Sequence, residues 1–263
     1  MPKSVKMVKS QSRLETQKRI NIIRQINNYV KNSTLSGLLV TGSIAWGKNN
    51  AVTDISDIDF YLLAPSIESF RSSLINLPAI PQETKAIFNR MLNYKQGLVD
   101  TRSMKTDIGP YYGTIYLFVE NDLARLTRQF DNSDSKFFKN LRPHDKPQTK
   151  EYKGFKGNKL VFTTPISQVN LNTRFWIRTD PLFLTEANEF FGSIFLSHLL
   201  FGEIYTDKQE VICSAKKKAR QFLKSLLPKQ KKDAYVLFQN YLPRIEKMSK
   251  KTISNLFNSI WLS

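Results

Sequence analysis

The residues best suited to chemistry stand close together in the chain. In LLVTGSIAWGKNNAVTDISDIDFYLL, residues 38–63, an apolar run delivers Gly42-Ser43 to a helix start, and after thirteen intervening residues comes Asp57-Ile58-Asp59. Side chains at i and i+2 of a strand share a face, so Asp57 and Asp59 are expected to set two carboxylates side by side. Their mutual repulsion calls for a cation. Mg²⁺ (or Mn²⁺) suits, because it takes one or two carboxylates and completes its shell with water and substrate phosphate. Gly42 lets backbone come close, the Ser43 hydroxyl can donate a hydrogen bond, and a helix N-terminus offers free N–H groups to an anion. Gly47 ends this short helix, and Lys48 after it is a weaker candidate for phosphate contact, set against the plainer reading of a solvated lysine. Together these residues describe cation-assisted chemistry on a phosphate substrate.

The segment resembles the signature of the DNA polymerase β nucleotidyltransferase superfamily: an apolar residue, Gly-Ser, a spacer, then Asp-apolar-Asp-apolar. The likeness covers residues 36–63, and the succession of strands and helices to about residue 120 is compatible with it. It implies transfer of a nucleoside monophosphate from an NTP to an acceptor, with Mg²⁺ on Asp57 and Asp59 and the triphosphate at Gly42-Ser43. It also implies a third carboxylate from a later strand, which binds a second metal and activates the attacking hydroxyl. Asp100, in LVDTRSMK beside Leu98 and Val99, is the first choice; Asp107 and Glu120 are the alternatives. Arg102 and Lys105 are candidates to neutralise the triphosphate, or else form ordinary salt bridges. Tyr205 and Asp207, in GEIYTDK, resemble the helical-domain turn near the nucleotide base in small nucleotidyltransferases. His198 reads as a packed core histidine and Trp46 as a packing residue.

The elements that must position these groups are legible from periodicity. Leu14, Ile20, Ile22, Ile23, Ile26 and Val30 predict an amphipathic basic helix over 12–31. LSGLLVTGS and SDIDFYLLA read as strands, 66–77 and 82–94 as helices, and 97–104 and 112–120 as strands parted by Gly109-Pro110. Residues 131–158 read as loop with at most a short helix at 134–141, followed by two or three short strands within 159–178. Helical patterns then cover 183–203, 209–226, 230–241 and 243–261. The expected fold class is α+β with a mixed sheet: a basic N-terminal helix at 1–33, a nucleotidyltransferase-type core at 34–180 and a basic C-terminal helical domain at 181–263.

Charge narrows the partners. The 263 residues carry 40 Lys plus Arg against 22 Asp plus Glu, a net +18, and 41% are hydrophobic, which excludes a disordered basic tail. The excess sits at the ends, +7 over residues 1–31 and +10 over 214–251, while 32–213 carries +1. Terminal clusters of cations suit a polyanion. Lys216, Lys217, Lys218, Arg220, Lys231 and Lys232 are therefore the candidate nucleic-acid contacts, against the reading of a solvated helix face. One cysteine and two histidines exclude a Cys- or His-built metal cluster. No apolar run approaches a membrane span and no secretory signal is visible, so a reducing cytoplasm is expected. RNA, such as a tRNA 3′ end, is the favoured acceptor, in a housekeeping or a toxin or defence role, with or without a protein partner such as an antitoxin. The alternatives are a nucleotide second-messenger synthase, an antibiotic-type small-molecule nucleotidyltransferase, whose polycationic substrates this charge would repel, and an RNA-binding pseudo-enzyme.

Overall fold

The computed structural model describes residues 2–46, 52–92, 101–128, 152–156, 159–164, 177–178, 195 and 198–225. Helix α1 (Pro2–Lys31) leads to β1 (Gly37–Thr41), the short α2 (Gly42–Trp46) and β2 (Asp59–Ala64). Helices α3 (Ile67–Leu74) and α4 (Gln82–Met91) precede the hairpin of β3 (Thr101–Ile108) and β4 (Tyr111–Val119). Then come α5 (Glu120–Thr127), β5 (Tyr152–Lys156), β6 (Lys159–Thr164), β7 (Ile177–Arg178), β8 (Glu203–Asp207) and α6 (Val211–Ser225). The strands form one sheet in the order β6-β5-β7-β3-β4-β2-β1-β8. All its pairings are antiparallel except that of β2 with β4. Separate helices on a mixed sheet make the fold α+β, as composition and pattern predict.

The central strands are continuous apolar runs because both of their faces are covered. On one face, Ile58, Phe60, Leu62, Val40, Ile115 and Leu117 join Ile23, Ile26 and Val30 of α1, Phe70 and Leu74 of α3, and Phe88 of α4 in one core. On the other, Leu39, Tyr61 and Phe118 are buried together with Phe195, Leu199, Leu200 and, from α6, Ile212, Ala215 and Ala219. There the Tyr61 ring stacks on Phe195 at 6.4 Å between centroids and meets His198 edge-on at 5.6 Å. Tyr61 Oη and His198 Nδ1 stand 2.9 Å apart, and burial lowers His198 to about 3, so the imidazole is neutral. The reading of His198 as a packed histidine agrees with this.

Three local expectations change. Strand β5 occupies part of the segment read as loop, and β3 runs past the expected end at 104 to Ile108, while residues 97–100 lie outside the described residues. Residues 203–207, where Tyr205 and Asp207 resemble a turn after a helix, form the strand β8, which takes up the open edge of β1. A five-residue stretch gains more from that ladder than from an isolated last turn. The possible helix at 134–141 and the two helices expected over 230–241 and 243–261 lie outside the described residues.

Helix α1 is an integral part of the fold. Asn27 Oδ1 accepts from Thr206 Oγ1 at 2.6 Å, Tyr29 donates to Ser73 O at 2.6 Å, and Lys208 Nζ binds Val30 O at 3.0 Å. Its buried stripe runs Ser12, Glu15, Thr16, Arg19, Ile23, Ile26, Asn27, Val30, polar at first and apolar later. Leu14, expected on the apolar stripe, is 56% exposed instead. Among the described residues no helix is long and apolar enough to cross a membrane. Phe60 has no exposed surface at the middle of this core; Phe60→Ala is expected to lower unfolding free energy by about 3–5 kcal/mol in urea denaturation.

Candidate catalytic site at the end of the central strands

Asp59 opens β2, directly opposite Thr41, the last residue of β1. Asp57 lies in the extended lead-in, one residue either side of the fully buried Ile58, whose N–H donates to Tyr112 O at 2.9 Å. Ile58 is buried in the core and Asp57 and Asp59 on either side of it are part-exposed; β2 begins at Asp59, so Asp57, expected to open the strand, precedes it. Asp59 Oδ1 accepts the Thr114 N–H at 2.8 Å, and Thr41 Oγ1 donates to Asp59 O at 3.2 Å.

Two glycines make room for this arrangement. Gly42 has φ +64°, and a Cβ placed there would lie 2.9 Å from Asp59 Oδ2, so both its backbone angle and its neighbour exclude a side chain. The Gly-Ser turn begins seventeen residues before the second aspartate and is brought close to it because Thr41, just ahead of the turn, pairs with Asp59. Gly113 sits between the carbonyl that receives Ile58 and the amide that serves Asp59, and a Cβ there would collide with Ile58 O. An isolated glycine inside a strand pattern is the sequence signal for such a close approach. Ser43 is buried at the start of α2.

The lead-in to Asp57 is held from α1. Arg19 donates from Nε to Ser56 O at 2.8 Å, from Nη2 to Asp54 O at 2.7 Å, and from Nη1 to Glu15 Oε2 at 2.6 Å. Its guanidinium lies 4.0 Å from the Tyr111 ring centroid. Lys18, then Arg19, hold the Glu15 carboxyl below the usual carboxylate range. Ser12 Oγ accepts the Val52 N–H at 3.1 Å, and Ser56 Oγ the Thr53 N–H at 2.8 Å. None of Arg19, Ser12, Ser56, Gly113 and Thr114 is singled out by motif reading. For Arg19 the available signals were its helical spacing of four from Glu15 and its phase on the Ile23–Val30 stripe.

Register separates the third-carboxylate candidates. Asp107 pairs with Tyr112, at the same end of the sheet as Asp57, and is part-exposed between buried Thr106 and Ile108. Glu120 follows Val119, which pairs with Ala64 at the other end of β2, roughly 20 Å along the strands at ~3.3 Å per residue. Asp100 lies outside the described residues. Lys105 pairs with Thr114, beside Asp59, whereas Arg102 pairs with Leu117. Among the described residues no three or more His, Cys, Asp or Glu groups gather to hold a metal. Asp57 and Asp59, two part-exposed carboxylates at this end of the sheet, are of the kind that Mg²⁺ takes when water and substrate phosphate complete its shell.

Other sequence candidates have structural duties. Asp207 caps α6, its Oδ1 accepting from Ile212 N at 3.2 Å and its Oδ2 from Cys213 N at 2.7 Å, and Tyr205 is half-buried against the core, its phenol pushed up to about 12 chiefly by burial. Neither belongs to a helical turn. Lys216 is also drawn inward: its ammonium binds Leu199 O and, at 2.6 Å, Gly202 O, and burial lowers it to about 8. It closes the C-terminal end of the helical residues 198–201, in contrast to the exposed Lys217. Lys218 and Arg220 are part-exposed, while Lys48, Lys231 and Lys232 lie outside the described residues. Gly42→Ala is expected to cost about 1–2 kcal/mol from the left-handed backbone alone, read as a lowered urea midpoint. The chain matches no protein-family model, no curated protein and no solved structure.

Proposed function

We propose that the protein is a nucleotidyltransferase that transfers a nucleoside monophosphate from an NTP to an RNA acceptor. The observation that carries this reading is how close the Asp59 carboxylate lies to the positive-φ Gly42, where an added Cβ would stand 2.9 Å from Oδ2, so that a Gly-Ser phosphate-type turn adjoins an acid of the Asp57-Ile58-Asp59 run. An acceptor hydroxyl oxygen would attack the α-phosphorus, the bond to the bridging oxygen would break, and pyrophosphate would leave. Asp57 and Asp59 would hold Mg²⁺ or Mn²⁺, which neutralises phosphate charge when bound. Among the described residues Asp107 is the carboxylate whose register best suits taking the acceptor's proton, a role for which Asp100 is the sequence's first choice, and Gly42-Ser43 would receive the triphosphate.

An RNA acceptor is supported by where the free cations lie. Arg13, Arg24 and Lys31 of α1 and Lys217 of α6 are exposed, and around the acids the chain is close to neutral. The absence of a three-carboxylate group among the described residues keeps an RNA-binding pseudo-enzyme as the second reading.

Incubation with each labelled NTP, Mg²⁺ and total RNA is expected to label RNA, and Asp57→Ala to abolish that label while the protein stays folded. Label confined to small products would point to messenger synthesis, label on an added aminoglycoside to antibiotic modification, and none at all to the pseudo-enzyme. Lys217→Glu is expected to weaken RNA binding and to lower the slope of log affinity against log salt by about 1. Lys216→Glu is expected instead to lower thermal stability, because it removes the donor to the Leu199, Leu200 and Gly202 carbonyls.

A further inference from the structure

We propose that Arg19 is the positioning residue of the acidic site: from the first helix it sets the 52–58 segment so that Asp57 stands beside Asp59. Arg19 has no exposed surface, although arginines are rarely buried fully. A guanidinium presents a rigid planar fork, and here the fork reaches the carbonyls of Asp54 and Ser56, the latter directly before Asp57. Glu15 supplies the compensating charge at 2.6 Å, and the Tyr111 face closes the other side at 4.0 Å. Tyr111 adjoins Tyr112, whose carbonyl receives the Ile58 N–H. The segment before Asp57 and the strand that serves Asp59 are therefore both referred to one guanidinium. Ser12, two turns earlier on the same stripe, takes the Val52 N–H where the segment begins.

A lysine would keep the charge opposite Glu15 but not the fork, so Arg19→Lys separates positioning from charge compensation. This inference rests on the proposed cation site, and two independent readouts keep the two ideas apart. The first is Mn²⁺ binding to the NTP-free protein, followed by electron paramagnetic resonance. Wild type is expected to bind, Asp59→Asn to lose binding, and Arg19→Lys to bind about tenfold or more weakly, as outer-shell changes at metal sites do. The second is amide hydrogen exchange without metal. Arg19→Lys is expected to speed exchange at Val52, Thr53 and Ser56 while Leu38, Leu39 and Val40 keep wild-type protection.

Should Arg19→Lys not fold, Ser12→Ala gives the same two comparisons with a smaller change in the same direction. Exchange that rises equally in the segment and in β1, or Mn²⁺ affinity equal to wild type in a folded Arg19→Lys, would overturn the positioning role. Wild type failing to bind Mn²⁺, or Asp59→Asn binding it as well, would overturn the nucleotidyl-transfer reading instead, and the exchange result alone would then decide whether Arg19 holds the segment.

Discussion

A guanidinium with no water around it must find every partner inside the protein, and Arg19 finds them in Glu15, Asp54, Ser56 and Tyr111. Breaking such a buried pair by removing one partner leaves a charge uncompensated, which typically costs 3–5 kcal/mol, so helix, segment and hairpin are held as a unit. The chain has invested a polar half-stripe of α1, Ser12 to Arg19, at the one place where a loop meets the acidic end of the sheet. Further along the same stripe, where α1 crosses the strands, the residues become Ile23, Ile26 and Val30. One helix thus does two jobs in succession, because what lies beneath it changes from loop backbone to apolar sheet.

The sheet has the same division. Its centre, β1 and β2, is buried on both faces, and the aspartates of the candidate site stand at the strand ends. At one end Asp59 is held by its neighbours: an added Cβ at Gly42 would lie 2.9 Å from one oxygen, the Thr114 N–H donates to the other, and the Thr41 hydroxyl donates to its backbone carbonyl. Carboxylates held by backbone groups on rigid strands keep their geometry better than carboxylates on free loops. At the β8 edge, Asp207 and Lys216 cap two helix ends, and both are polar residues whose appearance in sequence suggests ligand binding. Capping a helix terminus and binding a phosphate use the same donors and acceptors, so residue type alone does not separate them.

Basic charge likewise divides by surroundings. Of the cations near the N-terminus, Arg19 is internal and Lys18 is paired with Glu15, whereas Arg13, Arg24 and Lys31 face solvent. In the C-terminal cluster Lys216 turns inward beside the exposed Lys217. A net charge counts all of these equally, and only the exposed ones act on a partner at a distance.

Much of the fold is local and was legible in the chain. The apolar runs at 37–41 and 59–64, the turn at Gly109-Pro110, and the 3.6-residue pattern of α1, α3, α4 and α6 follow from propensity and periodicity, which neighbouring residues determine. That Asp57 and Asp59 flank one buried residue, Ile58, was legible for the same reason, since acidic and apolar residues alternate there along the chain. Other features depend on contacts between distant segments. That β8 is a strand depends on the free edge of β1; that Asp107 lies at the acids' end of the sheet, and Glu120 at the other, depends on the registers of β2, β3 and β4. That Arg19 is buried and Leu14 exposed depends on which carbonyls face the helix, and those come from residues 35 and 37 positions away in the chain. Sequence by itself determined which residues carry charge, turn and period; the tertiary structure decided which of them meet, because hydrogen bonds and desolvation act across space and the chain order does not record that distance.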